Sequence, residues 1–302
     1  MNQTSEFEFC DFAHFISRYL PGKLQKLTVN AGLSCPNRDG TKGYGGCSYC
    51  NNSSFSPGFS ANPEDIGQQL EKGKQFFARK YPNMRYLAYF QSYTGSHEAT
   101  DRLMSMYRQA LGVEGIDGII IGTRPDCMPQ DLLEELGRLG KERFVMVEYG
   151  AESSHDTTLQ RVNRCHSWAD TADAVHRTAA MGIPVGLHLI MGLPGESRRD
   201  MLATIDAVNT LPVDIIKCHQ LQLIRGTRLC REVEEGVTDV HIFSVEEYVD
   251  LCCDIIRRIR KDIAIERFVS QSPDNLLVAP RWGLKNYEFM HMLRRRLRER
   301  VE

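Results

Sequence analysis

The chain has 302 residues, 42% of them hydrophobic and 25% charged, with a formal net charge of −2. This composition suits a globular protein large enough for one α/β barrel or two smaller domains. It excludes a globally basic nucleic-acid footprint, which must be local if present, and no run approaches the roughly 18 apolar residues of a membrane-crossing helix.

The amino-terminal stretch MNQTSEFEFCDF lacks the basic and apolar regions of a signal peptide, so a cytoplasmic protein with no membrane partner is expected. Thiols stay reduced there. The ten cysteines therefore predict metal binding or catalysis where they cluster, and no disulfide-linked partner. Residues 1–26 read as a lead-in, with an amphipathic helix from Phe12 to Leu20 ended by Pro21-Gly22. Leu27 to Leu33 reads as the first strand, and a loop follows to about Ala61. Asn62-Pro63-Glu64-Asp65 carries the capping Asn, the Pro and the acids of a helix start. Ile66, Leu70, the Lys74 stem and Phe77 then share one helical face.

The alternation repeats. Strands are predicted at Tyr86 to Ser92, Ile116 to Thr123, Phe144 to Tyr149, Pro184 to Met191 and Asp214 to Leu223. The helices that follow them run from Glu98 to Leu111, Pro129 to Leu139, Trp168 to Met181, Arg198 to Leu211 and Ser244 to Lys261. Continuous apolar strands alternating with helices predict a parallel sheet covered on both faces. An open doubly wound sheet and a barrel both satisfy that pattern, and six such units are too few for a closed eight-fold barrel. The expected fold is α/β, a partial (β/α)6 TIM-like barrel over residues 27–261. Short extensions flank it at 1–26 and 262–302, the latter with a strand from Ala264 to Val269 and a terminal helix packed on the core.

In such a fold the site lies at the carboxyl ends of the strands. Polar and glycine residues gather there in every unit. After the first strand, LSCPNRDGTKGYGGCSYC places Cys35, Cys47 and Cys50 on a glycine-rich loop as C-x11-C-x2-C. A closed zinc site needs about four ligands, and so does a [4Fe–4S] cluster. Three cysteines leave one position open. A zinc site completed by His97 or Cys127 is the alternative, and it would make the chain a non-catalytic nucleic-acid-binding protein. The remaining cysteines are scattered and read as ordinary buried thiols.

Arg124, in TRPD, suits a carboxylate or phosphate of a substrate, or a structural pair with Asp126. Lys217 and His219 fall on one face of the sixth strand, together with Leu221 and Leu223. Such polar groups on a barrel strand are costly unless used or paired. Lys217 and His219 are the catalytic candidates, and His188 and Gln222 join Arg124 as substrate-binding candidates. Arg294, Arg295, Arg296, Arg298 and Arg300, with Arg281 and Lys285 nearby, form a local basic patch.

The segments CPNRDGTKGYGGCSYCNNSSF, IGTRPDC, VEYGAES, NRCH and HLIMGLPGE resemble, in the same order, those of the YhcC-type radical S-adenosylmethionine (SAM) family. That family is near the branch of the elongator catalytic subunit, and the resemblance covers about Lys26 to Trp282. The first cysteine gap is longer than the C-x3-C-x2-C commonest in the superfamily. The resemblance implies that Cys35, Cys47 and Cys50 hold three irons of a [4Fe–4S] cluster, leaving the fourth iron for SAM. Reductive cleavage would give a 5′-deoxyadenosyl radical for hydrogen abstraction, with electrons from a donor such as flavodoxin or ferredoxin. It further implies that Tyr49 and Gly192 lie against the adenine, and Gln91, Ser92 and Thr94 at the SAM amino group. Glu148 and Ser153 would border the ribose, and Arg164, rather than Arg161, would meet the methionyl carboxylate. Kinship with the elongator branch implies a tRNA substrate for which the basic terminal helix offers phosphate contacts. A small metabolite is the other substrate class.

Overall fold

The structure, a computed structural model, describes residues 9–54, 65–78 and 84–300. The expected helix start at Asn62 to Glu64 lies outside the described residues. Seven strands pair in parallel: β1 (Leu24–Val29), β2 (Arg85–Phe90), β3 (Ile116–Thr123), β4 (Phe144–Glu152), β5 (Val185–Met191), β6 (Ile215–Gln220) and, beyond a two-residue β7 (Leu223–Ile224), β8 (Ala264–Arg267). Their order across the sheet is their order in the chain. β7 pairs antiparallel with β9 (Leu277–Ala279) in a small separate ribbon.

The sheet is strongly curled. β1 and β8 are its opposite edges, six strand spacings or roughly 29 Å apart if flat. Yet Lys26 Nζ on β1 lies 2.5 Å from Glu266 Oε2 on β8. This is the partial barrel expected from the alternation, with a seventh parallel strand that joins it from the segment after residue 261.

Helices α1 (Phe12–Ser17), α2 (Ile66–Ala78), α3 (Thr100–Leu111), α4 (Gln130–Leu139), α5 (Asp156–Arg161), α6 (Trp168–Ala180), α7 (Arg198–Asn209), α8 (Arg228–Glu234), α9 (Val245–Arg258) and α10 (Asn286–Glu299), with short 3-10 turns at Asn52–Ser54 and Pro125–Cys127, complete the described elements. The outward residues of the strands, such as Val29, Phe90, Ile121, Val147, Leu187 and Ile216, pack with the helices in the main core. Inward residues Leu87, Ile120, Met146, Ile215 and Ala264 fill the amino-terminal end of the barrel, where Phe15 and Ile16 of α1 plug it. Helices α6, α7 and α9 each start with a capping box, formed by Ser167 and Asp170, Ser197 and Asp200, and Ser244 and Glu247. Each such cap is worth about 1 kcal/mol and fixes where the preceding loop must end.

Two strand limits differ from the local pattern. β1 ends at Val29 because the buried side chain of Gln69, on α2, takes the place of a neighbouring strand. Asn30 N donates to Gln69 Oε1 at 2.8 Å, and Gln69 Nε2 donates to Asn30 O at 2.9 Å. β6 ends at Gln220, and Leu221 and Leu223 leave the barrel wall to pack with Leu193 and Leu229 in a separate apolar cluster.

Candidate cofactor and active site at the strand ends

The cysteine loop is held by amides rather than by regular structure. Arg38 N and Asp39 N donate to Cys35 O at 2.8 and 3.1 Å, and Gly46 N donates to Asn37 O at 2.8 Å. The fully buried Asn37 donates through Nδ2 to Asn163 O and reaches Cys47 Sγ at 3.6 Å. Asn163 in turn donates to Gly46 O at 2.9 Å. The NRCH segment is therefore the backing of the loop, which explains why the two motifs occur together. Cys35, Cys47 and Cys50 all line one cavity at the carboxyl ends of the strands.

Arg164 enters that cavity from the NRCH segment. Its NH2 group donates to Gly150 O at 2.5 Å, its NH1 group reaches Cys47 Sγ at 3.5 Å, and Glu152 lies 3.3 Å away. A Cβ on Gly150 would stand 2.5 Å from that guanidinium nitrogen, so any larger residue there would have to displace it. Arg124 is held bidentately by Asp126, at 2.9 and 3.0 Å, and its NH1 has no partner among the described residues.

Below the cavity lies a charged layer. Lys26 contacts Glu148 Oε1 at 3.0 Å and Glu266 at 2.5 Å. Lys217 contacts Glu148 Oε2 at 2.5 Å and Glu266 at 3.4 Å. Two lysines and two glutamates thus close a square across the barrel. His188 Nε2 meets Glu148 Oε2 at 2.9 Å, and Lys217 donates to Tyr89 OH at 3.1 Å. Burial opposes ionisation of Glu148, but Lys217, Lys26 and His188 outweigh it and hold the carboxyl well below its ordinary range. Burial, reinforced by Lys26 and Arg267, outweighs the two carboxylates at Lys217 and brings its ammonium down to about 8. Burial also keeps His188 and His219 neutral, with Lys217 pushing the same way at both.

The residues present fit a bound cofactor. Buried polar atoms normally have partners. Five side chains that line this cavity each keep one buried atom without any among the described residues: Tyr49 OH, Thr94 Oγ1, Arg124 NH1, Arg164 Nε and Arg267 Nε. Burial and the neighbouring Cys47 push the Cys50 thiol up to about 11, so iron binding there must displace a proton. Among the described residues no three His, Cys, Asp or Glu side chains converge on a point one ion could occupy. His97 is engaged with Asp39 at 2.9 Å, and neither it nor Cys127 lines this cavity. The donor set suits a polynuclear cluster, one thiolate per iron, better than single zinc.

The structure brings Tyr49, Gln91, Thr94, Arg124, Glu148, Arg164, His188, His219 and Gln222 to the cavity with the three cysteines. It does not bring Ser92, Ser153, Gly192 or Lys217 to the lining. Ser153 donates to Glu196. A Cβ on Gly192 would stand 2.9 Å from the Phe243 ring, so its space is filled by packing. Lys217 lies in the layer beneath. Gln222 lines the cavity with its amide engaged, donating to Ser270 O at 3.1 Å and accepting from Ser272 Oγ at 2.8 Å. Pattern reading missed Arg38, which donates to Cys50 O at 3.0 Å, and it missed Lys26, Tyr89, Glu266 and Arg267. Charged residues inside the short strands LQKLTV and AIER were the available signal for three of these.

A curled parallel sheet with three cysteines and five orphaned polar groups at one cavity defines a cofactor-dependent enzyme of the partial-barrel class. The model of the radical SAM superfamily matches residues 35–208, beginning at Cys35, and that of the Radical_SAM C-terminal domain matches 213–299. The chain belongs to the radical SAM superfamily, whose enzymes use a [4Fe–4S] cluster and SAM and require an electron donor. Within it the chain is of the YhcC type. It is 36% identical over 289 residues to Protein YhcC of Escherichia coli strain K12, covering 95% of this chain and 92% of that one. A tRNA uridine(34) acetyltransferase of Methanocaldococcus infernus is 31% identical over 121 residues, 39% of this chain and 22% of that one. The solved structure of the archaeal Methanocaldococcus infernus Elp3 with an N-terminus deletion superimposes with a TM-score of 0.68 at 15% identity. It covers 93% of this chain and 64% of that one, and shows the shared fold. No helix among the described residues is long and apolar enough to cross a membrane.

Proposed function

We propose that this enzyme holds one [4Fe–4S] cluster through Cys35, Cys47 and Cys50, binds SAM in the adjoining cavity, and abstracts hydrogen from a tRNA substrate in the cytoplasm. The observation that carries the cofactor reading is the convergence of all three cysteines and the orphaned polar groups on one cavity. When bound, the cluster and SAM supply one-electron reductive cleavage and a carbon radical for hydrogen abstraction. The chain supplies the rest. Arg164 places a buried cation against Cys47 and has one free nitrogen, Nε, for a carboxylate. Tyr49 offers an aromatic face and an unpartnered hydroxyl, and Gln91 and Thr94 offer polar contacts to an amino group. Of the two catalytic candidates, His219 meets substrate as a neutral imidazole at the cavity wall, and Lys217 acts from below as a positioning residue through Glu148 and Tyr89. Flavodoxin or ferredoxin is the proposed electron donor.

The tRNA reading is supported by the partial match to a tRNA uridine(34) acetyltransferase and by α10. That helix sorts its basic residues. Arg296 and Arg300 pair with Asp250 of α9, Arg300 at 2.6 Å, and Arg295 pairs with Glu299 at 3.3 Å. Tyr287, His291, Arg294 and Arg298 form an exposed stripe at helical spacing along a shallow depression. Cations interleaved with an aromatic ring suit phosphates and an unstacked base. Mass-spectrometric profiling of modified nucleosides in tRNA from a deletion strain tests this. The reading expects one nucleoside to change, and an unchanged profile moves the substrate to a small metabolite.

A further inference from the structure

The charged layer contains one cation more than its internal pairing uses. Lys26 and Lys217 each contact both Glu148 and Glu266. Arg267 follows Glu266 on β8, where a register irregularity sets it opposite Lys217. Its guanidinium makes no hydrogen bond or ion pair among the described residues, and its Nε is buried without a partner. It nonetheless lines the cavity. His219, on the adjacent strand β6, also lines the cavity, and its ring nitrogens make no hydrogen bond among the described residues. Arg267 lies close enough to help keep that imidazole neutral, so His219 retains one N–H donor. Gln220 clamps the chain after β8 from both sides: it donates to Ser270 O at 3.0 Å and accepts from Ser270 N at 2.9 Å. Arg267 is thereby held beside β6, at the cavity that the cysteine loop also lines. An unpaired guanidinium next to a neutral donor, over a layer whose two lysines and two glutamates balance each other, is complementary to an oxyanion.

We infer that Arg267 and His219 form a subsite for an anionic group of the substrate, a carboxylate or a phosphate, distinct from the groups that would hold SAM. This rests on the radical SAM reading above. An anion seated there would compensate the charge of Arg267 and orient the substrate within the cavity that the three cysteines also line.

The test uses anaerobically reconstituted protein with saturating SAM. Thermal unfolding is followed in sodium acetate and in sodium phosphate, each against sodium chloride of equal ionic strength. The subsite predicts a higher midpoint with at least one of the two anions. Acetate alone identifies a carboxylate, and phosphate alone a phosphate ester. Arg267→Gln should weaken the anion by about tenfold or more, Arg267→Lys should retain part of the effect, and the exposed Arg102→Gln should leave it intact. The Lys variant keeps the test valid if the Gln variant does not fold. The inference is overturned if neither anion acts on the wild type, if the effect survives in both Arg267 variants undiminished, or if it is present without SAM and vanishes with it. The last result would assign Arg267 to the SAM carboxylate. SAM cleavage under dithionite is measured on the same samples. Cleavage without an anion effect rejects the subsite alone, and absence of cleavage rejects the reading beneath it.

Discussion

Arg164 NH1 stands 3.5 Å from Cys47 Sγ, and the same guanidinium fills the space that Gly150 leaves by having no side chain. A buried cation against a thiolate is a charge-assisted contact worth roughly 1.5–3 kcal/mol. Arg164→Met is expected to weaken iron retention against a chelator by about tenfold or more, and Arg164→Lys by less. Gly150→Ala should reproduce the Arg164→Met defect, because its methyl group would displace the guanidinium. Iron content after chelator challenge checks all three.

Glu148 joins two lysines and a histidine in the layer beneath the cavity. Glu148→Gln leaves Lys26 and Lys217 only Glu266, and removing one partner of a buried ion pair costs about 3–5 kcal/mol. Lys217→Met should cost less, since Glu148 keeps Lys26 at 3.0 Å and His188 at 2.9 Å. Denaturant titration of both variants decides the order.

His219 has its ionisation pushed well below the ordinary histidine range by burial first, then by Arg267, His188 and Lys217. In the unfolded chain it takes up a proton near pH 6.5. The unfolded state therefore binds more protons as pH falls below about 6.5, and stability falls with it. Glu148, depressed in the fold, adds to the decline at lower pH, as its folded carboxyl protonates. His219→Gln should flatten the stability profile between about pH 6.5 and 5 by up to roughly 1.4 kcal/mol per pH unit. An unchanged slope would mean that His219 is protonated in the fold.

On α10, Arg294→Glu and Arg298→Glu should weaken tRNA binding and reduce its salt dependence, by about 0.9 in the log–log slope for each phosphate no longer neutralised. Arg300→Glu should instead lower stability, since Arg300 pairs with Asp250 at 2.6 Å and Asp254 at 3.0 Å on α9. Filter binding at several salt concentrations separates the two.

The fold was legible because each strand of the barrel wall is a local pattern. β3 reads IDGIIIGT and is buried along nearly its whole length, and its short, β-branched apolar run between amphipathic helices identifies it. The cysteine loop was legible because its three cysteines are close in sequence. What local reading could not supply came from distant pairing. β1 stops where it does because of Gln69, 39 residues further on. Glu266 and Arg267 look like ordinary alternation within AIERFVS, and only the curl of the sheet brings them to Lys26 and the cavity. Ser153 and Gly192 stand in recognisable motifs, yet Glu196 and Phe243 occupy the space they face.

The central claim is that Cys35, Cys47 and Cys50 together hold the cluster that makes SAM cleavage possible. Wild type and the three single Cys→Ala variants, reconstituted anaerobically with iron and sulfide, should be assayed for SAM cleavage under dithionite. The account predicts about four irons and four sulfides for the wild-type chain, with cleavage, and disappearance of both cluster and cleavage in every variant. SAM cleavage that survives removal of any one of the three cysteines, or a wild type that binds only zinc, would contradict it.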